Sequence, residues 1–343
     1  MKKIVQIKNK KIGGDNPTYI IAEIGSNHNR DINIAKKMID EATFSGVDAV
    51  KFQTFKAEKL YSKKTPKFSK DEIEPFDLLK SIEMPHKWHK DLFTYTKNKG
   101  LHFLSSPFDL EAVDELDKIG IPAFKIASFE IVDHELLKYT AKKGKPMILS
   151  TGLANIGEIE EAINVIRSEG NDEIILLHCA SMYPSPVEIM NLKAIQTMAC
   201  TFQIPIGLSD HSLGIHVSLA AVAMGAKVIE KHFTLDRTMP GPDHNFAIQP
   251  DELNQLVSDI RDIERAMGTG IKDKSDNEQE MYEKARRSII ALTDIPKGTK
   301  ITKNKIIIKR PGYGIKPKYI DIIIGRKAKV DIKADHWITW DMI

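Results

Sequence analysis

The sequence of 343 residues predicts an α/β fold, a (β/α)8 TIM barrel followed by a small β-rich domain. Short apolar runs typical of strands alternate eight times with amphipathic helical stretches, which is the pattern of a closed parallel barrel. Nothing in this pattern marks an edge strand or a sheet reversal, so the doubly wound open sheet is the alternative. After residue 268 the alternation stops, and a polar stretch leads into short β-like segments with Pro-Gly turns.

The candidate strands are short, rich in β-branched residues and bounded by turn residues. They lie at residues 19–24, 49–54, 101–105, 123–127, 146–150, 174–179, 205–209 and 227–232. Amphipathic helices are predicted between them, for example at 32–45, 85–99 and 156–168, each followed within two residues by a glycine. Residues 4–11 are predicted to form a short strand at the barrel floor. A long excursion follows the second strand of the barrel, with a Lys-rich piece at 56–70 and then residues 71–81, which are predicted to form an extra helix or a lid.

Three segments follow from these changes in pattern. Residues 1–268 are predicted to be the catalytic barrel, 269–287 a polar linker and 288–343 a second domain. The β-like pieces of that domain lie at 288–292, 305–309 and 327–331. A domain of this size is near the lower limit for independent stability, so we expect it to depend on the barrel or on a partner subunit.

The composition excludes several classes of partner. The formal net charge is only +3 with 28% charged residues, so no basic field indicates a nucleic-acid partner. No run approaches the roughly 20 apolar residues that a membrane span needs, and we expect no membrane partner and no targeting segment. The two cysteines, Cys179 and Cys200, do not form a disulfide framework and predict a reducing compartment, the cytoplasm.

The segment K-V-I-E-K-H-F at 227–233 is the strongest site signal in the sequence. Strand alternation places Val228, Glu230 and His232 on one face. Burying a carboxylate and an imidazole costs several kcal/mol unless they are paired or bound to a metal, so this strand predicts a functional site.

Other candidate strands also end in polar residues, and the carboxyl ends of barrel strands converge on one mouth. The candidates at the mouth are Glu23, Lys51, Gln53, Ser106, Lys125, Ser128, Glu130, Ser150, Tyr183, His211, Glu230 and His232. Lys51 and Lys125, together with hydroxyl and amide donors, suit an anion with several oxygens, such as a phosphate ester that also carries a carboxylate. Either lysine could instead form a Schiff base.

Two histidines on adjacent strands, His211 and His232, predict a shared divalent metal with Glu230 or Asp210 nearby as a ligand or a supporting group. Two imidazoles leave coordination positions for water and substrate, which favours a catalytic ion of the Mn²⁺ type over a closed structural zinc. The other histidines at 86, 89 and 102 are predicted to be structural or exposed.

Eight motifs in order then carry a resemblance to a known family. They are I-A-E-I-G-S-N-H (21–28), V-K-F-Q-T (50–54), F-L-S-S-P-F (103–108), F-K-I-A-S-F-E (124–130), I-G-L-S-D-H (206–211), I-E-K-H-F-T (229–234), G-P-D-H (241–244) and K-R-P-G-Y-G (309–314). The first seven resemble the sialic acid synthase family. The last resembles the antifreeze-like, or SAF, domain of those enzymes.

The resemblance implies condensation of phosphoenolpyruvate with the open-chain aldehyde of an N-acylated hexosamine, giving a nonulosonic acid and phosphate. The sugar expected is N-acetylmannosamine or a 2,4-diacetamido-6-deoxy relative. The second is included because the sequence at Ser181 and His244 is more similar to the legionaminic acid and spore-coat branches of the family. The metal implied at His211 and His232 is Mn²⁺, with Mg²⁺ or Co²⁺ as alternatives.

The resemblance also implies residue roles. The residues expected to hold phosphoenolpyruvate are Lys51, Gln53, Lys125, Ser128 and Ser150, those expected to line the substrates are Glu23, Ser106, Glu130, Tyr183 and Asp243, and the candidate catalytic carboxylates are Glu23, Glu130 and Glu230. Arg310 is expected to reach the sugar site of the neighbouring barrel in a domain-swapped homodimer. Two alternatives stay open, a Schiff-base pyruvate aldolase on the same barrel and a non-catalytic carbohydrate-binding protein.

Overall fold

The computed structural model describes residues 3–67 and 73–343. The chain divides into two compact units, Met1–Gly268 and Thr269–Ile343. The first unit begins with an antiparallel hairpin of β1 (Val5–Ile7) and β2 (Lys10–Ile12). Eight parallel strands follow, and they are β3 (Tyr19–Gly25), β4 (Ala49–Thr54), β5 (His102–Pro107), β6 (Phe124–Ile126), β7 (Met147–Ser150), β8 (Ile174–Cys179), β9 (Ile206–Asp210) and β10 (Val228–His232).

The eight strands form a nearly closed barrel, which confirms the predicted fold class. Their hydrogen-bonded order is β5-β4-β3-β10-β9-β8-β7-β6, and the two end strands lie side by side. The hairpin packs Val5, Ile7 and Ile12 against inward-facing residues at the start of the strands, including Tyr19 and Val228. The predicted barrel floor is therefore confirmed, as a hairpin instead of a single strand.

Helices cover the outside of the barrel. They are α1 (Ile32–Ser45), α2 (Ala57–Leu60), α3 (Pro75–Ile82), α4 (His89–Asn98), α5 (Leu110–Ile119), α6 (His134–Ala141), α7 (Ile156–Ser168), α8 (Lys193–Phe202), α9 (His216–Ala223) and α10 (Pro250–Met267). Local sequence sets their ends: Asn155 and Glu158 form a capping box at the start of α7, and Gly46 ends α1 with a φ of 77°. The helix predicted at 85–99 is shorter, because a 3₁₀ turn at His86–Trp88 precedes α4.

The predicted excursion at 56–81 contains α2 and α3, which confirms an extra helix there. Its residues 68–72 lie outside the described residues. The structural role predicted for His102 is confirmed, because this residue lies on β5, where its Nδ1 is 2.7 Å from the Tyr19 hydroxyl.

The second unit contains α11 (Gln279–Lys284), β11 (Ser288–Ala291), β12 (Ile306–Lys309) and α12 (Ile320–Ile323). The two strands pair antiparallel over a core of isoleucines that includes Ile289 and Ile338. The third strand predicted at 327–331 was wrong: in the described chain, Lys327 makes an isolated bridge to Lys300. The segment boundaries predicted at 269–287 and 288–343 stay a prediction.

Two further features concern membrane crossing and the state of the cysteines. Of the helices that the structure describes, none combines the length and apolar character that a membrane crossing requires. Both cysteines are free, Cys179 buried and Cys200 exposed.

Candidate active site

Four buried charged side chains meet at the mouth of the barrel, and we call Glu23, Lys51, Lys125 and Glu230 the charged quartet. None of them is more than 3% exposed. Lys51 Nζ lies 2.9 Å from Glu23 Oε2 and 3.9 Å from Glu230 Oε1, and Lys125 Nζ lies 3.3 Å from the same Glu230 oxygen. Two cations therefore share two carboxylates without bulk water, and an added anion would compete with these carboxylates for the two ammonium groups.

The quartet has unusual proton affinities because its groups are buried together. Burial raises the pKa of Glu23 to about 7, although Lys51 opposes the shift. Burial also acts to raise the pKa of Glu230, but the attraction of Lys125 and Lys51 leaves it below its ordinary value. Burial acts to lower the pKa of Lys51, but Glu23 and Glu230 outweigh it and the pKa ends raised, whereas burial lowers the pKa of Lys125. Glu230 is thus the fixed anion, and Glu23 is the member that titrates near neutral pH.

Neutral donors surround the quartet. Gln53 Nε2 donates to Glu23 Oε1 at 3.2 Å, and Lys51 Nζ donates to Ser106 Oγ at 3.3 Å. Ser209 had no role in the sequence prediction, yet its hydroxyl donates to Glu230 Oε1 at 3.1 Å. The structure therefore brings the predicted Gln53 and Ser106 to the quartet.

Gly25 ends β3 directly beside the quartet. Its φ of 52° is left-handed, and a Cβ there would lie 3.3 Å from Glu23 Oε1 and 3.4 Å from Asp243 Oδ2. Glycine is therefore the residue that lets the backbone turn at this point without crowding the two carboxylates.

The predicted metal-binding histidines lie together at the same mouth. The ring centroids of His211 and His232 are 5.4 Å apart, and both side chains are buried. His211 Nδ1 donates to the Ala180 carbonyl at 2.9 Å, and this hydrogen bond leaves its Nε2 as a lone-pair donor when the ring is neutral. His232 Nδ1 is buried and makes no hydrogen bond within the described part of the chain.

Burial lowers the pKa of His211, and it lowers the pKa of His232 well below the ordinary value, with further repulsion from His211. Both rings are therefore neutral at neutral pH, which is the form that binds metals. Two neutral imidazoles with available nitrogens fit a divalent ion. One of these nitrogens, His232 Nδ1, is buried and has no hydrogen-bond partner among the described residues.

The carboxylates near this pair are not all the predicted ones. Asp210 does not face the histidines as a ligand, because its carboxylate is used by Lys231 and two serines, so of its two predicted roles only indirect support is left. Glu230 faces the lysines. Instead, Asp243 Oδ2 lies 3.7 Å from His232 Nδ1, and burial raises the pKa of Asp243 to about 6.

Aromatic rings cover the histidine pair. The centroid of the Tyr183 ring is 4.3 Å from that of His211, and the Phe246 ring is 5.0 Å from His232. These contacts place the predicted Tyr183 beside the pair and limit the directions from which a substrate can reach it.

A cluster of small polar groups lies at the ends of β6, β7 and β8. Ser128 Oγ lies 3.1 Å from Cys179 Sγ and accepts a hydrogen bond from the Gly152 N–H at 3.1 Å. A Cβ at Gly152 would lie 2.1 Å from Ser181 Oγ, so this approach requires glycine.

Two other predicted residues have buried oxygens without a partner. The Ser150 hydroxyl and Glu130 Oε2 make no hydrogen bond among residues 3–67 and 73–343. Burial raises the pKa of Glu130 to about 7. Buried polar atoms are rarely left unpaired, so both atoms indicate a place where a polar ligand binds.

Arg310 is the one predicted site residue that belongs to the second unit. It follows β12 and is exposed, and it makes no hydrogen bond or ion pair with any residue that the structure describes. Its guanidinium is thus available to a partner.

A buried ion pair that the sequence did not single out lies on the outer, helix-facing side of β9 and β10. Lys231 Nζ is 2.9 Å from Asp210 Oδ2, and both side chains are at most 1% exposed. Ser218 of α9 donates to the same carboxylate at 2.6 Å. Each member of the pair directly precedes one histidine, so this network fixes the strand ends that carry His211 and His232. The signal in the sequence was Lys231 itself, a charged residue on the face of a buried strand opposite to Glu230 and His232.

We expect Asp210→Asn to impair metal binding through this network. The substitution leaves Lys231 buried without its counterion, which costs about 3–5 kcal/mol of unfolding free energy. Loss of support for a ligand lowers metal affinity about 10–100-fold. Urea unfolding and Mn²⁺ titration measure the two effects.

The double variant Asp210→Asn/Lys231→Met is the control for stability, because it removes the unpaired charge. We expect it to unfold at higher urea than Asp210→Asn and still to bind Mn²⁺ weakly. Metal affinity equal to wild type in both variants would show that the network does not position the histidines.

Comparison with known proteins places the chain among named families. Residues 38–272 match the NeuB family, and residues 286–343 match the SAF domain. The chain is 46% identical over 329 residues to the N,N'-diacetyllegionaminic acid synthase of Campylobacter jejuni, covering 94% of this chain and 98% of that protein. It is 35% identical over 339 residues to the human N-acetylneuraminate-9-phosphate synthase, covering 97% of this chain and 94% of that protein.

Solved structures agree. The N-acetylneuraminic acid synthetase of Leptospira borgpetersenii superposes with a TM-score of 0.76 at 39% identity, covering 82% of this chain and 95% of that one. The spore coat polysaccharide biosynthesis protein SpsE of Bacillus subtilis superposes with a TM-score of 0.69 at 40% identity, covering 99% of both chains.

Proposed function

This chain belongs to the NeuB family and carries a SAF domain, as its motifs predicted, and from that premise we propose that it is a nonulosonic acid synthase. It joins phosphoenolpyruvate and water to an N-acylated hexosamine and releases phosphate. Relatives named as legionaminic, pseudaminic and neuraminic acid synthases support this activity. The observation that carries it is the charged quartet beside two neutral buried histidines at one barrel mouth.

The quartet supports binding of phosphoenolpyruvate. Lys51 and Lys125 supply positive charge to its phosphate and carboxylate, and Gln53 supplies an amide donor. Ser128 and Ser150 lie at the ends of the next strands, and the Ser150 hydroxyl, which has no partner in the part of the chain that the structure describes, can donate to an anion oxygen. Because the site is buried, these charge-assisted contacts are stronger than they would be in water.

A divalent ion held by His211 and His232, for which we propose Mn²⁺, with Mg²⁺ or Co²⁺ as alternatives, would polarise the sugar aldehyde as a Lewis acid. Tyr183 and Asp243 lie beside the histidines and would contact the sugar. His244 does not face the sugar, because its ring nitrogens lie 2.7 Å from Thr234 Oγ1 and 3.0 Å from Asn29 Oδ1. It orders the loop that carries Asp243.

The carboxylates handle the protons of the reaction. When C3 of phosphoenolpyruvate bonds to the aldehyde carbon, positive charge develops at C2, and a water adds there. That water loses two protons in all, one as it adds to C2 and one as the bond from C2 to the phosphate oxygen breaks and the ketone forms. One of them replaces the proton taken up by the former aldehyde oxygen, which becomes a hydroxyl, and the other leaves with the phosphate. Glu23 is the base we propose, because its pKa of about 7 suits proton transfer at neutral pH. Glu230 is the permanent counterion of the lysines, and Glu130, with a pKa of about 7, is the alternative base.

We expect kcat/KM to rise with pH through about 7, because the base must be ionised to accept the proton. In Glu23→Gln this limb should disappear and the rate should fall at every pH. In Glu130→Gln the limb should remain. Initial rates between pH 5.5 and 8.5 measure this, and loss of the limb in Glu130→Gln alone would assign the base to Glu130.

The stability of the fold depends on pH in the opposite direction to the rate. Because the folded-state pKa of Glu23 lies above its ordinary value of 4.5, its contribution to the free energy of unfolding is complete below that value and is lost as the pH rises through about 7.

Phosphate release tests the proposed activity directly. Phosphoenolpyruvate and Mn²⁺ are incubated with the protein and a panel that contains N-acetylmannosamine and its 2,4-diacetamido-6-deoxy relatives, and the keto acid products are identified. We expect a diacetamido sugar to be preferred, since the legionaminic acid synthase is among the most similar relatives. Absence of phosphate release with every sugar would contradict the proposal.

A Schiff-base aldolase is the second candidate, because burial lowers the pKa of Lys125 and so favours its neutral amine. Lys51 is a poor nucleophile, since its raised pKa keeps it cationic. Borohydride trapping with pyruvate separates the activities: a covalent adduct supports the aldolase, and metal-dependent phosphate release without an adduct supports the synthase. Sugar binding without turnover would support the carbohydrate-binding alternative.

We propose a cytoplasmic, domain-swapped homodimer in which Arg310 donates hydrogen bonds to the N-acyl sugar of the partner subunit. Its exposed guanidinium, which has no partner among the described residues, supports this role, and the two free cysteines support a reducing compartment. The proposal assigns catalysis to the barrel at 1–268 and sugar capture to the domain at 288–343, joined by 269–287.

Mixing two inactive variants tests the shared site. Arg310→Ala and His232→Ala are combined under conditions that exchange subunits. We expect activity to return, up to one intact site in each mixed dimer, because each subunit supplies what the other lacks. If both residues act within one subunit, no activity returns.

A further inference from the structure

A second cluster of metal-ligating side chains lies between α4 and α5, among residues that the proposed function does not use. His86 lies in the 3₁₀ turn that precedes α4, His89 is the first residue of α4, and Glu115 projects from α5. His86 Nδ1 is 2.6 Å from Glu115 Oε2, and His89 Nδ1 is 2.5 Å from Glu115 Oε1. One nitrogen or oxygen of each residue lies within 4.8 Å of the others, which is close enough to share an ion.

The contacts of the His86 ring are satisfied together when a cation lies between its Nδ1 and Glu115. His86 Nε2 faces the Phe55 carbonyl at 3.4 Å and its Nδ1 faces Glu115, and both of these groups can only accept, whereas a neutral ring has one proton to donate. When Nε2 carries that proton, the lone pair of Nδ1 points at a carboxylate oxygen. Two lone pairs at this distance repel each other unless a cation, a proton or a metal, lies between them.

His89 is held in a similar way. It is fully buried, and its Nε2 lies 2.9 Å from Thr54 Oγ1 at the end of β4. The Thr54 hydroxyl lies 2.7 Å from Ser105 Oγ on β5. Outer partners that fix the far nitrogen are what orients the histidines of metal sites.

We propose that His86, His89 and Glu115 bind a divalent transition-metal ion of the Zn²⁺ class, separate from the ion at His211 and His232. Two imidazoles and a carboxylate suit Zn²⁺, Co²⁺ or Ni²⁺ better than Mg²⁺. Ligand atoms about 2.0–2.1 Å from a tetrahedral ion lie roughly 3.3 Å apart, so Glu115 must withdraw by less than about 1 Å.

The surroundings of the three residues allow the ion to enter and allow Glu115 to move. The side chains of His86 and Glu115 are 24% and 29% exposed, which gives the ion a path from solvent and gives the carboxylate room to move. Three protein ligands leave a fourth position for water. The bound ion clamps α4 to α5 and, through Thr54 and Ser105, stiffens the ends of β4 and β5. Ser106, the next residue, contacts Lys51 of the quartet.

The test uses Co²⁺ alone, because its visible absorption reports the ligand set. The full chain is stripped with EDTA and titrated as wild type and as His211→Ala/His232→Ala, in which the first site is removed. We expect two equivalents to bind to wild type and one to the double variant, with a rise in its melting temperature. This result does not depend on the proposed activity.

Glu115→Gln is then added to the double variant, with Glu111→Gln as the matched control. Glu111 lies one turn earlier on α5, is 66% exposed and pairs with Lys56 and Lys59. We expect Glu115→Gln to weaken Co²⁺ binding more than about 100-fold and Glu111→Gln to leave it unchanged. A double variant that binds no Co²⁺, or binding that Glu115→Gln does not alter, would overturn the proposal and leave a proton as the bridging cation.

Discussion

Replacing His211 or His232 by alanine is expected to lower phosphate release by more than about 100-fold. Each substitution removes one of two predicted protein ligands, and the remaining imidazole holds a divalent ion weakly. Stability should also fall, because each substitution removes a buried ring that packs against Tyr183 or Phe246. His211 in addition gives up one hydrogen bond to the Ala180 carbonyl, worth about 1 kcal/mol.

Three measurements separate loss of metal from loss of fold: Mn²⁺ affinity, the rate at saturating Mn²⁺ and the melting temperature in EDTA. His134→Ala is the control, because this histidine is exposed at the start of α6. We expect excess Mn²⁺ to restore part of the activity of each site variant. Wild-type protein that still turns over at its full rate after exhaustive chelation would contradict the metal assignment.

Much of the barrel and its mouth could be predicted because both follow from local alternation. On β10 the period of two placed Glu230 and His232 on the inner face, and the structure confirms it, with Lys231 on the outer face beside α9. The parallel barrel then brought Lys51 and Lys125 to the same carboxylate, although they are 74 positions apart in the sequence. Strand ends were displaced by one or two residues, since side-chain pattern does not define where backbone pairing stops.

What could not be predicted depends on tertiary partners. The pairing of Asp210 could not be predicted because its partner, Lys231, comes from another strand and faces away from the mouth. Asp243 was expected at the site only from the family resemblance, and its place beside His232 could not be derived from the pattern, because it lies on a loop where no period indicates a direction. His86 and His89 resembled ordinary helix residues until Glu115 of the next helix was placed beside them. The wrong third strand of the second unit had the right residue types, but lone bridges satisfied its backbone instead of a ladder.

Replacing either quartet lysine by methionine is expected to impair phosphoenolpyruvate use. Each change removes a charge-assisted contact in a buried site, about 2–3 kcal/mol, which corresponds to a loss of roughly 30-fold or more in kcat/KM. Methionine keeps the volume of the lysine stem, so packing changes little. Lys142→Met is the control, because that side chain is 61% exposed. If only the KM of the sugar rose, the two substrate pockets would be reversed.

The two variants should differ in their pH dependence. Lys51 lies 2.9 Å from Glu23 and holds its pKa down against the effect of burial, whereas Lys125 pairs with Glu230 and acts on Glu23 more weakly. Without Lys51 the pKa of Glu23 should therefore rise further above 7, and the limb of the pH–rate profile should move to higher pH. Lys125→Met should show the same loss in kcat/KM with a smaller displacement of the limb. Equal displacement in both variants, or none in Lys51→Met, would show that the titrating base is not Glu23.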